Sequence, residues 1–399
     1  MKQLARLSSR AHRVPPSATS AATEAASSLA ARGVSVVALT EGEPDALTPE
    51  PIRQAAYAAV EAGYTKYPPV QGYPDLREAI VAELRKRGTA YLADGVVVSC
   101  GAKQAILNTL LAIVDDGDDV IVPTPAWVSY SAQVALVGGR AVEVQTCARD
   151  GFILDPERLE AAVTPRTVAM FLNSPCNPTG AVYTREQLRA IADVAMRHGL
   201  WIISDEIYAA IAYGVEAPSL PSLGDDIAQR TVLIDGASKT FAMTGWRLGW
   251  SVCEPELARA IVAMQGQTTS GAPAMSQRAA LAALGMDRAP IDAIIRAYAR
   301  RRAYVLERLG RIPGIACTEP DGAFYAFPDV SRLLGKRAGG VLIDSSQTFA
   351  RELLAQQGLG VVAGEAFSAP GYIRISFAAA EEQLLQGLDR LERFVGLLR

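Results

Sequence analysis

Lys239 follows the apolar run Thr231-Val-Leu-Ile-Asp235, inside Gly236-Ala-Ser-Lys-Thr-Phe-Ala-Met-Thr-Gly-Trp-Arg-Leu-Gly-Trp250. A lysine at the end of a buried strand, among small residues and without an adjacent carboxylate, suits an amine that must lose its proton and attack a carbonyl. Its free pKa is about 10.4, and desolvation lowers it by disfavouring the charged form. On position alone, a surface lysine in a turn is the commoner case. Three other stretches bear on the choice. Ser99-Cys-Gly-Ala-Lys-Gln104 is a small-residue turn between a strand and a helix, whose free amides and helix dipole suit a phosphate. Asp205, in Ser204-Asp-Glu-Ile-Tyr208, ends another strand; there it is either a helix N-cap or a buried acid that needs a cation or hydrogen-bond donors. In Asn173-Ser-Pro-Cys-Asn-Pro-Thr-Gly180, two prolines and a glycine impose a rigid turn that presents Asn177, where a plain loop is the alternative. Together these stretches supply a Schiff-base amine, a phosphate cradle and an anion for a ring nitrogen, which are the three requirements of pyridoxal phosphate.

The elements that must hold these residues are legible as alternating patterns. Apolar runs of strand length occur at Val96–Ser99, Asp119–Val122, Val168–Leu172, Leu200–Ser204, Val232–Ile234 and Leu248–Val252. Helical spacing fits residues 103–114, 127–137, 184–198 and 254–264. Continuous apolar strands are buried on both faces, so the class is α/β, a mostly parallel sheet between helices with ligands at the strand C-terminal ends. From about residue 290 the pattern changes to a long Arg-rich helix reaching about 308, strand candidates at 323–328 and 371–377, and a final helix from 380. This reads as a second, smaller α+β domain. Residues 334–345 read as a loop on it, and the Ala/Ser-rich stretch 18–31 as helix.

Bulk properties exclude several classes. A chain of 399 residues exceeds the usual single-domain size. A net charge of -3, with no basic and aromatic run, gives no attraction to nucleic acid. Cys100, Cys147, Cys176, Cys253 and Cys317 form no CxxC pair, which points to a reducing, cytoplasmic setting and away from zinc. The only histidines are His12 and His198, too few for a metal cluster or a serine-type triad. No apolar stretch reaches the ~18 residues of a membrane span. The first 23 residues lack acids, a composition shared by transit peptides and by an ordered arm, and the arm is the reading adopted.

The chain resembles a class I aminotransferase of pyridoxal-phosphate fold type I, close to the bacterial aspartate aminotransferases. The motifs that carry the likeness run nearly end to end: Pro16-Ser-Ala-Thr19, Glu41-Gly-Glu-Pro-Asp45, Thr65-Lys-Tyr67, Gly72-Tyr-Pro-Asp-Leu-Arg77, the Asn177 turn, Ser204-Asp-Glu-Ile-Tyr208, Ser238-Lys239 with Arg247, and Tyr372-Ile-Arg-Ile-Ser376. The resemblance implies an arm and part of the small domain at 1–44, a large cofactor-binding domain with a seven-stranded sheet at 45–289, and a small domain at 290–399. It also implies roles. Lys239 would carry the cofactor as a Schiff base and then move the Cα proton, and Asp205 would keep the pyridine nitrogen protonated. Tyr208 and Asn177 would bond the ring's phenolic oxygen, and Trp127 would stack on the ring. Gly101, Ala102 and Lys103 amides, Ser238 and Arg247 would bind the phosphate, with Tyr67 reaching it from a second subunit of a homodimer with shared sites. Arg374 would grip the substrate α-carboxylate, helped by the Gly42 backbone.

The implied activity is ping-pong transfer of an amino group from an L-amino acid to a 2-oxo acid. Lys103 and Thr19 would line the side-chain pocket, and the cation favours aspartate or glutamate with oxaloacetate and 2-oxoglutarate. A prephenate, aromatic or alanine aminotransferase, or a β-eliminating lyase, is the alternative. Pro15 stands where relatives often carry lysine, Cys176 precedes Asn177, and Gly364-Glu-Ala-Phe-Ser-Ala-Pro-Gly371 is short; these departures bear on side-chain choice.

Overall fold

The computed structural model describes residues 7–14 and 16–399, so Pro15 and the first six residues lie outside the described part. Its centre is a seven-stranded sheet in the spatial order Val96–Ser99, Gly249–Val252, Thr231–Gly236, Trp201–Asp205, Thr167–Asn173, Asp119–Thr124, Arg140–Gln145. Gly249–Val252 is antiparallel to both neighbours, and the remaining pairings are parallel. Helices cover both faces. Ile106, Leu110, Val134 and Ile261 pack with Val120, Phe171 and Ile203 on one side. On the other side, Leu188 and Ile191 pack on Met170 and Ile202, and Leu76, Ile80 and Ala280 on Val98 and Leu233. These strand residues are essentially inaccessible to water, and a fully buried Ile, Leu or Val contributes about 1.5–3 kcal/mol.

Six of the seven strands coincide with the apolar runs. The seventh, Arg140–Gln145, pairs only with Asp119–Thr124 and so lies at the sheet edge. Its Arg-Ala-Val-Glu-Val-Gln sequence alternates instead of running apolar, because one side of an edge strand meets water. The helix expected over 127–137 begins at Ser129, leaving Trp127 in the turn before it.

Beyond this sheet, Tyr325–Ala326, Ile373–Ser376 and Val362–Ala363 form a three-stranded sheet, and Val37–Ala38 pairs in parallel with Leu359–Gly360. The helices Ala289–Gly310, Ser346–Gln357 and Glu381–Leu397 pack on them through Tyr298, Phe349, Leu388 and Phe394. The stretch 334–345 is more ordered than a loop: Arg337–Ala338 and Val341–Leu342 make a short hairpin. The chain start is helical at Ser9–Arg13 and Ala18–Ala31. Among the described residues no helix is long and apolar enough to cross a membrane, and no cluster of three potential metal ligands occurs.

Candidate active site

A cleft of about 720 Å³ opens where the parallel strands end, between the large sheet, the helix Ala18–Ala31 and the strand carrying Arg374. Strand ends deliver its polar groups because a parallel sheet stops all its chains at one edge, where side chains and loop amides are freed from the ladder. Asn173 and Asp205 are neighbours in register on adjacent strands. Asp205 is buried; its Oδ2 accepts the Tyr130 hydroxyl at 2.6 Å and its Oδ1 accepts the Ile207 amide at 3.2 Å. Burial pushes its carboxyl up to about 6, while Tyr130 and the Ile207 amide pull the other way. Such an acid, without a basic side chain bonded to it, is suited to a ligand cation.

Lys239 lies just past Thr231–Gly236 and donates from Nζ to the Gly42 carbonyl at 2.5 Å. Removal from water lowers its pKa to about 8; Glu43 opposes this, and Arg374 and Arg247 add to it. An amine brought this close to neutrality is available as a nucleophile and as a proton carrier.

A concentration of positive ends borders the same cleft. Gly101 caps the helix Ala102–Ile113 with φ 89°, and a Cβ built on it would fall 2.9 Å from the Arg247 guanidinium. The backbone therefore approaches Arg247 more closely than another residue would allow. Gly101 N–H donates to Ser99 O at 2.7 Å, so of the three amides expected to hold phosphate, those of Ala102 and Lys103 are the ones without a helical carbonyl to bond. Gly101 contributes space. Ser238, Lys103 and Arg247 border the same corner, and Lys103 is lowered by burial and by the Arg247 charge. The Arg247 cation and a helix N-terminus bordering one corner fit a phosphate dianion. Lys103 Nζ is also 5.0 Å from the centre of the Trp127 ring, which borders the cleft.

Arg374 is buried in the strand Ile373–Ser376. It donates to Asn177 Oδ1 at 3.0 Å and to the Thr40 carbonyl at 2.6 Å, and its Nε is without a partner. The Tyr325 and Phe367 rings lie 4.5 and 5.0 Å from it. Among the described residues no acid forms an ion pair with it, and burial lowers its pKa. A carboxylate from outside would supply the missing charge.

The structure thus brings Lys239, Asp205, Tyr208, Asn177, Trp127, Ser238, Arg247, Lys103, Thr19, Gly42 and Arg374 to one cleft. Several of these groups already have partners within the protein. The Gly42 carbonyl accepts from Lys239, and the Thr40 carbonyl accepts from Arg374. Tyr208 bonds Tyr325 at 2.7 Å, and Asn177 is engaged by Arg374. Tyr67 is 95% exposed and outside the cleft of its own chain. Tyr130 and Tyr325 were not singled out from sequence. Tyr130 sits three residues after Trp127, one helical turn on, which was the available signal; Tyr325 had none beyond its strand.

The sequence profile of the aminotransferase class I and II family matches residues 34–391. The chain is 42% identical to the aspartate/prephenate aminotransferase of Cereibacter sphaeroides, over 98% of this chain and 99% of that one. It is 39% identical to the aspartate aminotransferase of Geobacillus stearothermophilus, over 98% and 99% of the two chains. Among solved structures, it is similar to the Thermus thermophilus aspartate aminotransferase with maleate at a TM-score of 0.92, with 40% identity over 98% of this chain and 100% of that one. It is similar to the aspartate aminotransferase of Rhizobium meliloti at 0.96, with 36% identity over 99% and 100%.

Proposed function

The chain belongs to the class I and II aminotransferases, a family generally dependent on pyridoxal phosphate, and on that premise we propose that it binds pyridoxal phosphate and transfers the amino group of aspartate or glutamate to a 2-oxo acid. One observation carries this reading: a lysine amine near neutrality, a buried carboxylate lacking a cation and a cationic helix N-terminus converge on one cleft. Bound through Lys239, the cofactor supplies an electron sink conjugated to the substrate Cα. The protein's part is to hold, orient and move protons. Ala102 and Lys103 amides, Ser238 and Arg247 anchor the phosphate. Asp205, kept ionised by Tyr130, holds the proton on the ring nitrogen. Trp127 would pack on the ring, and Tyr208 and Asn177 would bond its phenolic oxygen. Arg374 would hold the substrate carboxylate, and Lys239 Nζ would take the Cα proton and return it.

The side-chain preference rests on charge. Lys103 and Thr19 both line the cleft, and among the described residues no acid pairs with Lys103, so a distal carboxylate complements it. Relatives named for both aspartate and prephenate make prephenate the second reading, since its ring carboxylate could use the same cation. A donor panel against 2-oxoglutarate, with prephenate as a competing acceptor, separates the two. Lys103→Ala should raise KM for aspartate by about 10- to 100-fold, the value of one charge-assisted hydrogen bond, with little effect on alanine. Equal losses for aspartate and alanine would place Lys103 outside the side-chain pocket.

We further propose a homodimer in which Tyr67 of each chain reaches the other's phosphate. Its nearly full exposure beside Pro68 and Pro69, outside the lining of its own cleft, supports this. Sedimentation should give twice the 42.3 kDa chain mass, and a monomer that remains fully active would remove Tyr67 from the site.

A further inference from the structure

Tyr208 and Tyr325 come from different parts of the fold, 117 residues apart, yet their hydroxyl oxygens are 2.7 Å apart and both rings are buried. Each hydroxyl has one proton, so only one of the two donates. If Tyr208 donates to Tyr325, it has nothing left for a ligand in the cleft; if Tyr325 donates, Tyr208 is free to donate onward. Three contacts bear on the direction. The Tyr325 hydroxyl lies against Gly42, where an added Cβ would come within 2.2 Å of it, and among the described residues its one hydrogen-bond partner is Tyr208. Burial raises the pKa of both hydroxyls, that of Tyr208 further; the Arg374 guanidinium opposes both rises and lies 4.5 Å from the Tyr325 ring. A cation over a phenol ring makes its hydroxyl the better donor of a pair. Tyr208 meets the edge of Phe324, an apolar neighbour that offers no hydrogen bond.

We infer that Tyr325 is a positioning residue: it donates its hydroxyl proton to Tyr208 and thereby commits the Tyr208 proton to the phenolic oxygen of pyridoxal phosphate. This rests on the reading that the cleft binds that cofactor. The groups around the pair are Arg374 on the Tyr325 ring, Lys239 at the Gly42 carbonyl, and Asp205 three residues before Tyr208. The consequence is a link between the strand that carries Arg374 and the cofactor's charge. When a hydrogen bond feeds a second one, each strengthens the other. With the cofactor bound, Tyr208 would donate to its phenolic oxygen and stabilise negative charge there. A stronger Tyr208 donor therefore keeps the apparent pKa of the lysine-bound chromophore low.

The test is a spectrophotometric pH titration of the substrate-free holoenzyme, loaded with pyridoxal phosphate, for wild type, Tyr325→Phe, Tyr208→Phe and the double variant. Tyr325→Phe should raise the chromophore pKa by about 0.5–1 unit, the value of one hydrogen bond. In the Tyr208→Phe background the same change should have no effect, because its route is gone. A shift absent from the single variant, or equal in both backgrounds, overturns the inference. A wild-type protein that develops no such chromophore overturns the functional reading and this inference with it.

Discussion

Lys239→Ala should abolish turnover, by at least about 10⁴-fold, and leave the protein folded. The size of the loss follows from two duties resting on one nitrogen. On the proposed reading the amine is the attachment point for the cofactor, and it is also the base that carries the Cα proton away and returns it. The expectation of an intact fold follows from the surroundings. Lys239 Nζ makes one hydrogen bond, to the Gly42 carbonyl, and its pKa is lowered by its withdrawal from water. Deleting a group whose charge is penalised by its site removes little native stability. Thermal unfolding should therefore be near wild type while activity disappears. Substantial turnover in the folded variant would end the assignment of Lys239.

Asp205→Ala should lower kcat by about 10²- to 10⁴-fold, the effect of breaking a buried ion pair of about 3–5 kcal/mol. The carboxylate is buried, and its hydrogen bonds come from Tyr130 and Ile207. Those two donors stabilise its charge, and among the described residues no basic side chain bonds it, a place that the ring nitrogen would take on the proposed reading. Without Asp205 that nitrogen loses its proton at neutral pH and the ring withdraws electrons poorly. The variant should still bind the cofactor through Lys239 and the phosphate anchors, so steady-state kinetics at saturating cofactor checks the prediction. A loss under tenfold would mean that the ring nitrogen is not protonated by Asp205.

What the sequence discloses follows physical lines. Strands buried on both faces announce themselves as apolar runs, so six strands of the large sheet and the ends that carry Asn173, Asp205 and Lys239 were readable. Arg140–Gln145 was not, since an edge strand keeps polar residues on its open side. The two-residue strands were not either: Val37 pairs with Leu359 across most of the chain, and no local pattern encodes such a partner. The site divides in the same way. Residues within short motifs were found, their roles supplied by the family likeness. Tyr130 and Tyr325 act through contacts with residues 75 and 117 positions away, which only the fold reveals. The Gly101 amide, expected to be free, is taken by Ser99 O in a turn too local for motif spacing to anticipate.

The central claim is that this cleft holds pyridoxal phosphate on Lys239 and strips an amino group from an acidic amino acid. Its most direct test is the absorbance of the pure, cofactor-loaded protein mixed with aspartate alone, without any acceptor. The band at ~360 or ~430 nm should give way to one at ~330 nm, with one oxaloacetate released per site, and 2-oxoglutarate should restore the original band. A spectrum unmoved by aspartate and glutamate, or release of pyruvate without the ~330 nm band, would contradict it.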